Sequence, residues 1–250
     1  MTRLNWVAAL AWVSTGLLIG SISPGRCAED IAIGVSQPLT GPFAASGNYV
    51  VNGARIAADE INGKGGLLGR QLKLIIEDSK SNPTESAAVA ERLITKSKVS
   101  VILGAWGSTL TLAALPIIQQ YKVPILVETA GANKITESGN PYVFRISAPA
   151  YMEAKGFQKQ LGAFSIKKAD FLIINNDWGK STAADFTKMF KANGIEVGLT
   201  EVMDQASQEM SAQLSKIKAT DSDTVIVTTA VEQLTLVLKQ AKALRLKKKI

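Results

Sequence analysis

The chain has 250 residues, enough for two domains, and with 46% hydrophobic and 20% charged residues it has a globular composition. It contains no histidine and one cysteine, Cys27, which excludes a Ser-His-Asp triad, a Cys-His pair and an imidazole metal site. The formal net charge is +7, but the one dense basic run, at 244–249, contains no aromatic residue. It is therefore not typical of a nucleic-acid-binding surface, which combines basic and aromatic side chains. Catalysis would have to rely on Asp, Glu, Lys, Tyr or Ser alone, which disfavours a carboxylate-based enzyme. We therefore predict a non-enzymatic protein without a cofactor, a metal or a nucleic-acid partner.

Residues 1–28 have the pattern of a secretory signal peptide. Arg3 precedes an uncharged apolar run at 6–22, and residues 23–28 are small apart from Pro24 and Arg26, of which Arg26 fits a cleavage site badly. A membrane anchor is the alternative, but the run is shorter than the roughly 20 residues that a spanning helix needs. We expect cleavage between Gly25 and Ala28 and export to the periplasm; cleavage after Ala28 leaves a mature chain without cysteine.

The first half of the mature chain alternates apolar strands with amphipathic helices. A strand at 31–35 is followed by a helix at 48–62, whose apolar residues recur at helical spacing. Asn82 followed by Pro83 is typical of a helix start, because asparagine caps a free N–H and proline suits the first helical position. The other elements predicted here are strands at 72–77, 99–103, 124–127 and 142–146 and helices at 82–97 and 108–120.

The second half repeats this alternation. It contains predicted helices at 150–163, 180–192, 208–218 and 231–244 and strands at 170–175, 195–202 and 223–228. Strands that alternate with helices in this way form parallel sheets covered by helices. We therefore predict an α/β fold with two doubly wound lobes, 29–146 and 147–250, joined by a hinge at 146–149. Because the chain ends after a helix, where another strand is expected, we expect the second lobe to be truncated.

Several segments of the first lobe carry a family resemblance. The sequences are PLTGPFAASG at 38–47, NGAR at 52–55, EINGKGGLLGR at 60–70, ED at 77–78, NP at 82–83 and VILG at 101–104, followed by Ser108. Together they resemble the periplasmic leucine/isoleucine/valine-binding proteins, the solute-binding components of ABC transporters. The resemblance covers residues 31–246 and implies a type I periplasmic binding protein, with two lobes that close around a small ligand.

The resemblance also implies where the ligand's carboxylate binds. In the family, the loop after the third strand presents a serine and backbone N–H groups to it, and Ser108 matches that serine, with Thr109 beside it. The start of a helix suits this role because its free N–H groups and positive dipole end attract anions. The alternative is that Ser108 serves only as the helix N-cap.

Further contacts follow from the same resemblance. Thr129, Ala130 and Gly131 match the contact loop after the fourth strand, although an ordinary turn is the alternative there. Ser46 matches a position that is commonly aromatic in the family, and Trp178 aligns with a tyrosine that covers the ligand. Trp106, between two glycines, has the same character as Trp178, and either indole could instead pack beneath its own loop.

The chain also departs from the family. The loop at 228–231 lacks the tyrosine common in amino-acid binders, and the acidic residue that pairs with the α-ammonium would lie past Ile250. Asp177 and Glu128 are possible proton-transfer groups, but the sequence shows no partner for either. We expect a monomer that delivers a branched-chain amino acid or related small carboxylate to an ABC transporter permease. The alternatives are a binder of an aromatic acid or amide and a sensor domain of the same fold.

Overall fold

The computed structural model describes residues 29–250, so the predicted signal peptide lies outside the described residues. The first half contains β1 Ile31–Gln37, α1 Ala44–Gly63, β2 Leu72–Asp78, α2 Pro83–Thr95, β3 Val101–Gly104, α3 Ser108–Tyr121, β4 Ile125–Val127, α4 Lys134–Glu137 and β5 Val143–Arg145. The second contains α5 Ala150–Gln158, α6 Leu161–Phe164, β6 Lys168–Ile174, α7 Asp177–Ala192, β7 Glu196–Met203, α8 Ser211–Ala219, β8 Thr224–Thr228 and α9 Val231–Ala243. Within this range we find no helix with the length and apolarity to cross a membrane.

Two parallel sheets organise the chain. The first has five strands in the order β2-β1-β3-β4-β5, and the second has three in the order β7-β6-β8. All the strand pairs in both sheets are parallel. The predicted α/β fold with two doubly wound lobes is confirmed, while the hinge at 146–149 stays a prediction.

Four helices differ from their predicted extents by three residues or more. α7 begins three residues earlier than predicted, and α8 begins three residues later. α1 begins at Ala44, four residues before the predicted start, because a turn at Gly41 brings the chain into the helix early. The helix predicted at 150–163 is divided into α5 and α6. The division lets the ring of Phe164 stack on that of Phe157, with centroids 5.1 Å apart, so aromatic packing outweighs a continuous helix here.

The core of the first lobe lies where α2 and α3 pack on the sheet. It is built from side chains that are wholly buried, such as Leu93, Ile102, Ile118 and Ile125. Two buried clusters fill the second lobe, one on each side of β6, because alternate residues of this strand point to opposite faces. Each lobe is thus a rigid support for the loops at the ends of its strands.

Asp170, on β6, is the centre of a buried polar network. The hydroxyls of Thr220 and Ser222 donate to its Oδ2 at 2.5 Å each, the Leu199 N–H donates to Oδ1 at 2.8 Å, and Lys248 Nζ lies 3.4 Å from Oδ2. Burial would raise the pKa of Asp170, but the hydrogen bonds outweigh it and hold the pKa below its usual value. The network ties the chain after α9 to the centre of the second sheet.

Candidate functional site

The two lobes meet at the carboxyl-terminal edges of their sheets, where α/β proteins bind ligands. Among the described residues, three hydrogen bonds between side chains cross from one lobe to the other. Thr109 Oγ1 donates to Asp177 Oδ2 at 2.7 Å, Ser46 Oγ donates to Glu232 Oε1 at 2.9 Å, and Asn133 Nδ2 donates to Asp185 Oδ2 at 2.6 Å. The predicted site residues Ser46 and Thr109 therefore lie at the crevice, engaged in contacts between the lobes.

Ser108 lies at the first position of α3, inside the crevice. The N-cap is Gly107, which has a positive φ of 93° and no side chain, so the interpretation of Ser108 as the cap is wrong. The Ser108 hydroxyl is buried and accepts a hydrogen bond from the Ala132 N–H at 3.0 Å. It thus joins the loops after β3 and β4, and no side chain caps the start of α3.

Hydrogen bonds to the carbonyl oxygens of the loop after β4 hold it in place, one from the guanidinium of Arg145 and one from the backbone. The Ala130 carbonyl accepts from Arg145 at 3.2 Å, and the Gly131 carbonyl accepts from the Ala150 N–H at 2.8 Å. Ala130 and Gly131 are buried, whereas the Thr129 side chain is exposed. The loop therefore presents backbone groups and the exposed hydroxyl of Thr129, and its hydrogen bonds hold it in one conformation.

Trp178, in the first turn of α7, lies against Gly131. A Cβ at Gly131 would be 2.9 Å from Trp178 Cδ1 and 3.1 Å from Nε1, so only glycine allows this approach. Glu153 Oε1 lies 3.6 Å from the same point. Burial raises the pKa of Glu153, and its hydrogen bond with the Trp178 indole opposes this in part. The indole thus reaches from the second lobe across to the contact loop of the first.

Gly131→Ala is expected to lower the free energy of unfolding by about 1–3 kcal/mol, because the added methyl group overpacks the Trp178 ring. Gly53→Ala is the matched control. It lies in the interior of α1 with nothing within 4 Å of an added Cβ, so it should raise stability by up to about 1 kcal/mol. Urea unfolding of both variants checks the opposite signs; equal stability of Gly131→Ala and the parent would refute the packing argument.

The Trp106 ring packs against other apolar side chains and is not free to contact a ligand on all sides. It lies 4.9 Å, centroid to centroid, from the ring of Phe43. Both aromatic residues come from first-lobe loops, yet they join the hydrophobic cluster of the second lobe, which Trp178 also contacts. Trp106 therefore contributes apolar area to the contact between the lobes.

The sequence interpretation missed a polar pair at the ends of β1 and β4. Gln37 Nε2 donates to Glu128 Oε1 at 2.8 Å, and Gln37 Oε1 accepts from the backbone N–H of Trp106 at 3.1 Å. Burial raises the pKa of Glu128 despite the hydrogen bond from Gln37. The available signal was a polar residue at the end of each strand: Gln37 is the last residue of β1, and Glu128 directly follows β4. Within 29–250 no group of three or more acidic, histidine or cysteine side chains is placed to hold a metal ion.

The sequence model of the family described as periplasmic binding protein matches residues 30–250. The Leu/Ile/Val-binding protein BraC3 of Rhizobium johnstonii is 29% identical over 213 residues, which are 84% of this chain and 58% of that protein. The chain thus spans less than two thirds of the length of this relative.

Two solved structures have the same fold. The substrate-binding protein LivJ from Streptococcus pneumoniae, in complex with isoleucine, is 28% identical with a TM-score of 0.80, over 88% of this chain and 62% of that one. A solute-binding protein from Rhodopseudomonas palustris, in complex with 3,4-dihydroxybenzoic acid, is 26% identical with a TM-score of 0.80, over 87% and 59%. Both of these ligands carry a carboxylate.

Proposed function

The chain belongs to the periplasmic binding protein family, and from this premise we propose that it is the solute-binding component of an ABC transporter. The family consists of non-enzymatic solute-binding proteins and is extracytoplasmic. On this proposal the signal peptide at 1–28 directs the chain to the periplasm. There it binds a small carboxylate between the lobes and delivers it to a permease.

The observation that carries the proposal is the uncapped start of α3 within the crevice. Its first-turn N–H groups and positive dipole end suit a carboxylate. The Ser108 hydroxyl accepts from the Ala132 N–H, which leaves its own hydrogen available to donate to the ligand. The exposed Thr129 hydroxyl and the backbone at 130–131 add polar groups on the neighbouring loop.

The second lobe would cover the bound ligand. Trp178 supplies an apolar surface opposite Gly131, and the Thr109–Asp177 and Ser46–Glu232 hydrogen bonds hold the lobes together. A ligand that adds contacts to both lobes shifts the equilibrium toward the closed arrangement. We propose a branched-chain amino acid as the ligand, as in the isoleucine complex of the LivJ protein.

An aromatic acid is the second candidate. The relative from Rhodopseudomonas palustris is in complex with 3,4-dihydroxybenzoic acid, and the indoles of Trp106 and Trp178 offer flat apolar surface near the crevice. Aromatic rings bury large areas against such surfaces.

Calorimetric titration of the full-length mature protein tests the proposal and decides between the two candidates. The panel contains leucine, isoleucine, benzoate, 4-hydroxybenzoate and 3,4-dihydroxybenzoate. We expect saturable binding of one of the two ligand classes, the branched-chain amino acids or the aromatic acids. At a ligand concentration of 100 times Kd, binding should raise the free energy of unfolding by about 2.7 kcal/mol. Absence of binding to every member of the panel would contradict the proposal.

A further inference from the structure

A buried carboxylate oxygen lies without a partner at the edge of the first sheet. Glu128 follows β4 directly, and Gln37 ends β1; the hydrogen bond between them spans the end of β3, which lies between those strands. Glu128 Oε2 is buried and has no hydrogen-bond partner among the described residues. Buried polar atoms are nearly always hydrogen-bonded, so this oxygen calls for a donor that the described chain does not supply. Glu232 Oε2, in the second lobe, is also buried without a partner in the described part of the chain.

The orientation of Gln37 determines which group Glu128 lacks. Gln37 Oε1 accepts from the backbone N–H of Trp106, so Gln37 Nε2 is the amide atom that donates to Glu128 Oε1. The ionised form of Glu128 accepts at both oxygens, and Oε2 of this form therefore requires a donor. Gln37 is wholly buried, which keeps this orientation fixed.

The charges around the crevice favour a donor as well. Five carboxylates lie there, on Glu128, Glu153, Asp177, Asp185 and Glu232, and none forms an ion pair within the described part of the chain. Cations lie near two of them: Arg145, at the end of β5, acts on Glu153, and Lys155 and Lys188 line a cavity with Asp185. The polar partners that bond to four of them are neutral: Gln37, Thr109, Asn133 and Ser46. Around Glu128, Asp177 and Glu232 the described residues place no cation within ion-pair distance, so a group that donates hydrogen bonds or carries positive charge complements this part of the crevice.

We infer that Glu128 is a specificity-determining residue whose Oε2 accepts a hydrogen bond from an ammonium or hydroxyl group of the ligand, with Gln37 as its positioning residue. The inference rests on the proposed function, because it requires a ligand in this crevice. It assigns the two ends of the ligand to different loops: the carboxylate to the start of α3, and the donor group to the end of β4. The ammonium of an amino acid and the hydroxyl of a phenolic acid share this chemistry.

Matched ligand pairs test the inference. Isoleucine differs from 3-methylpentanoate by its ammonium group, and 4-hydroxybenzoate differs from benzoate by its hydroxyl. In the pair that the protein binds, the parent should prefer the donor-bearing member by about ten- to a hundredfold in Kd. Glu128→Gln keeps the shape of the side chain but presents an amide N–H₂ in place of Oε2, so this preference should fall at least about tenfold. The affinity for the donor-free member should change little.

Control variants separate failure of this inference from failure of the proposed function. Glu60→Gln, on the exposed side of α1, should leave both affinities unchanged. If Glu128→Gln does not fold, Glu128→Asp, which keeps the charge but withdraws the oxygen by one methylene, should reduce the preference. Binding with an unchanged preference in these variants, or a parent that prefers the donor-free member, overturns the inference while the proposed function stands. Absence of binding to all four ligands overturns both.

Discussion

Asp170→Ala is expected to lower the free energy of unfolding by about 3–5 kcal/mol, because it leaves the ammonium group of Lys248 buried without its carboxylate. The hydroxyls of Thr220 and Ser222 and the Leu199 N–H lose an acceptor at the same time. Asp221→Ala is the matched control, since Asp221 is exposed and bonds to Lys168 at the surface; such pairs contribute little. Urea unfolding measures both, and a similar small loss in the two variants would contradict the account.

The same carboxylate predicts a pH dependence. Because the pKa of Asp170 is lower in the folded protein than its usual value, its contribution is complete above the unfolded pKa of about 3.9 and is lost as the pH falls through the folded pKa. The stability difference between the parent and Asp170→Asn should therefore be constant from pH 7 to about pH 5 and shrink below about pH 4. A difference that does not vary with pH would show that the charge of Asp170 is not what stabilises the fold.

Ser108→Ala is expected to weaken ligand binding by about ten- to a hundredfold, because it removes one charge-assisted hydrogen bond to the carboxylate. It should also lower the free energy of unfolding by about 1–3 kcal/mol, since the buried Ala132 N–H loses its acceptor. The two losses are measured separately, by calorimetry on the full-length protein and by urea unfolding without ligand. Reduced stability with unchanged affinity would assign Ser108 a purely structural role.

The alternation of strands and helices was readable from the sequence because it depends on local patterns. Asn82 and Pro83 mark the start of α2, where the Asn82 side chain accepts from the Glu85 N–H at 3.1 Å. The run at 108–120 predicted α3 to within one residue, because its apolar positions recur at helical spacing. The division between α5 and α6 was not readable, since it depends on how Phe157 meets Phe164 in three dimensions.

The site was readable only in part. The position of Ser108 at the start of α3 followed from the resemblance and the helix pattern. Its bond to Ala132, the Thr109–Asp177 contact and the Gln37–Glu128 pair join residues 24, 68 and 91 positions apart. No local pattern encodes such pairs, because they arise when the sheet edge brings separate loops together. Asp177 and Glu128, which lacked partners in the sequence, acquire them in this way.

Tryptophan emission during ligand titration tests the central claim, ligand binding in the crevice, most directly. Of the four tryptophans of the chain, Trp6 and Trp12 lie in the predicted signal peptide, and Trp106 and Trp178 lie at the contact between the lobes. The account predicts that emission of the full-length mature protein changes on binding, with the Kd obtained by calorimetry. It also predicts that Trp178→Phe loses most of this change. Calorimetric binding with unchanged emission would place the ligand elsewhere and contradict the account.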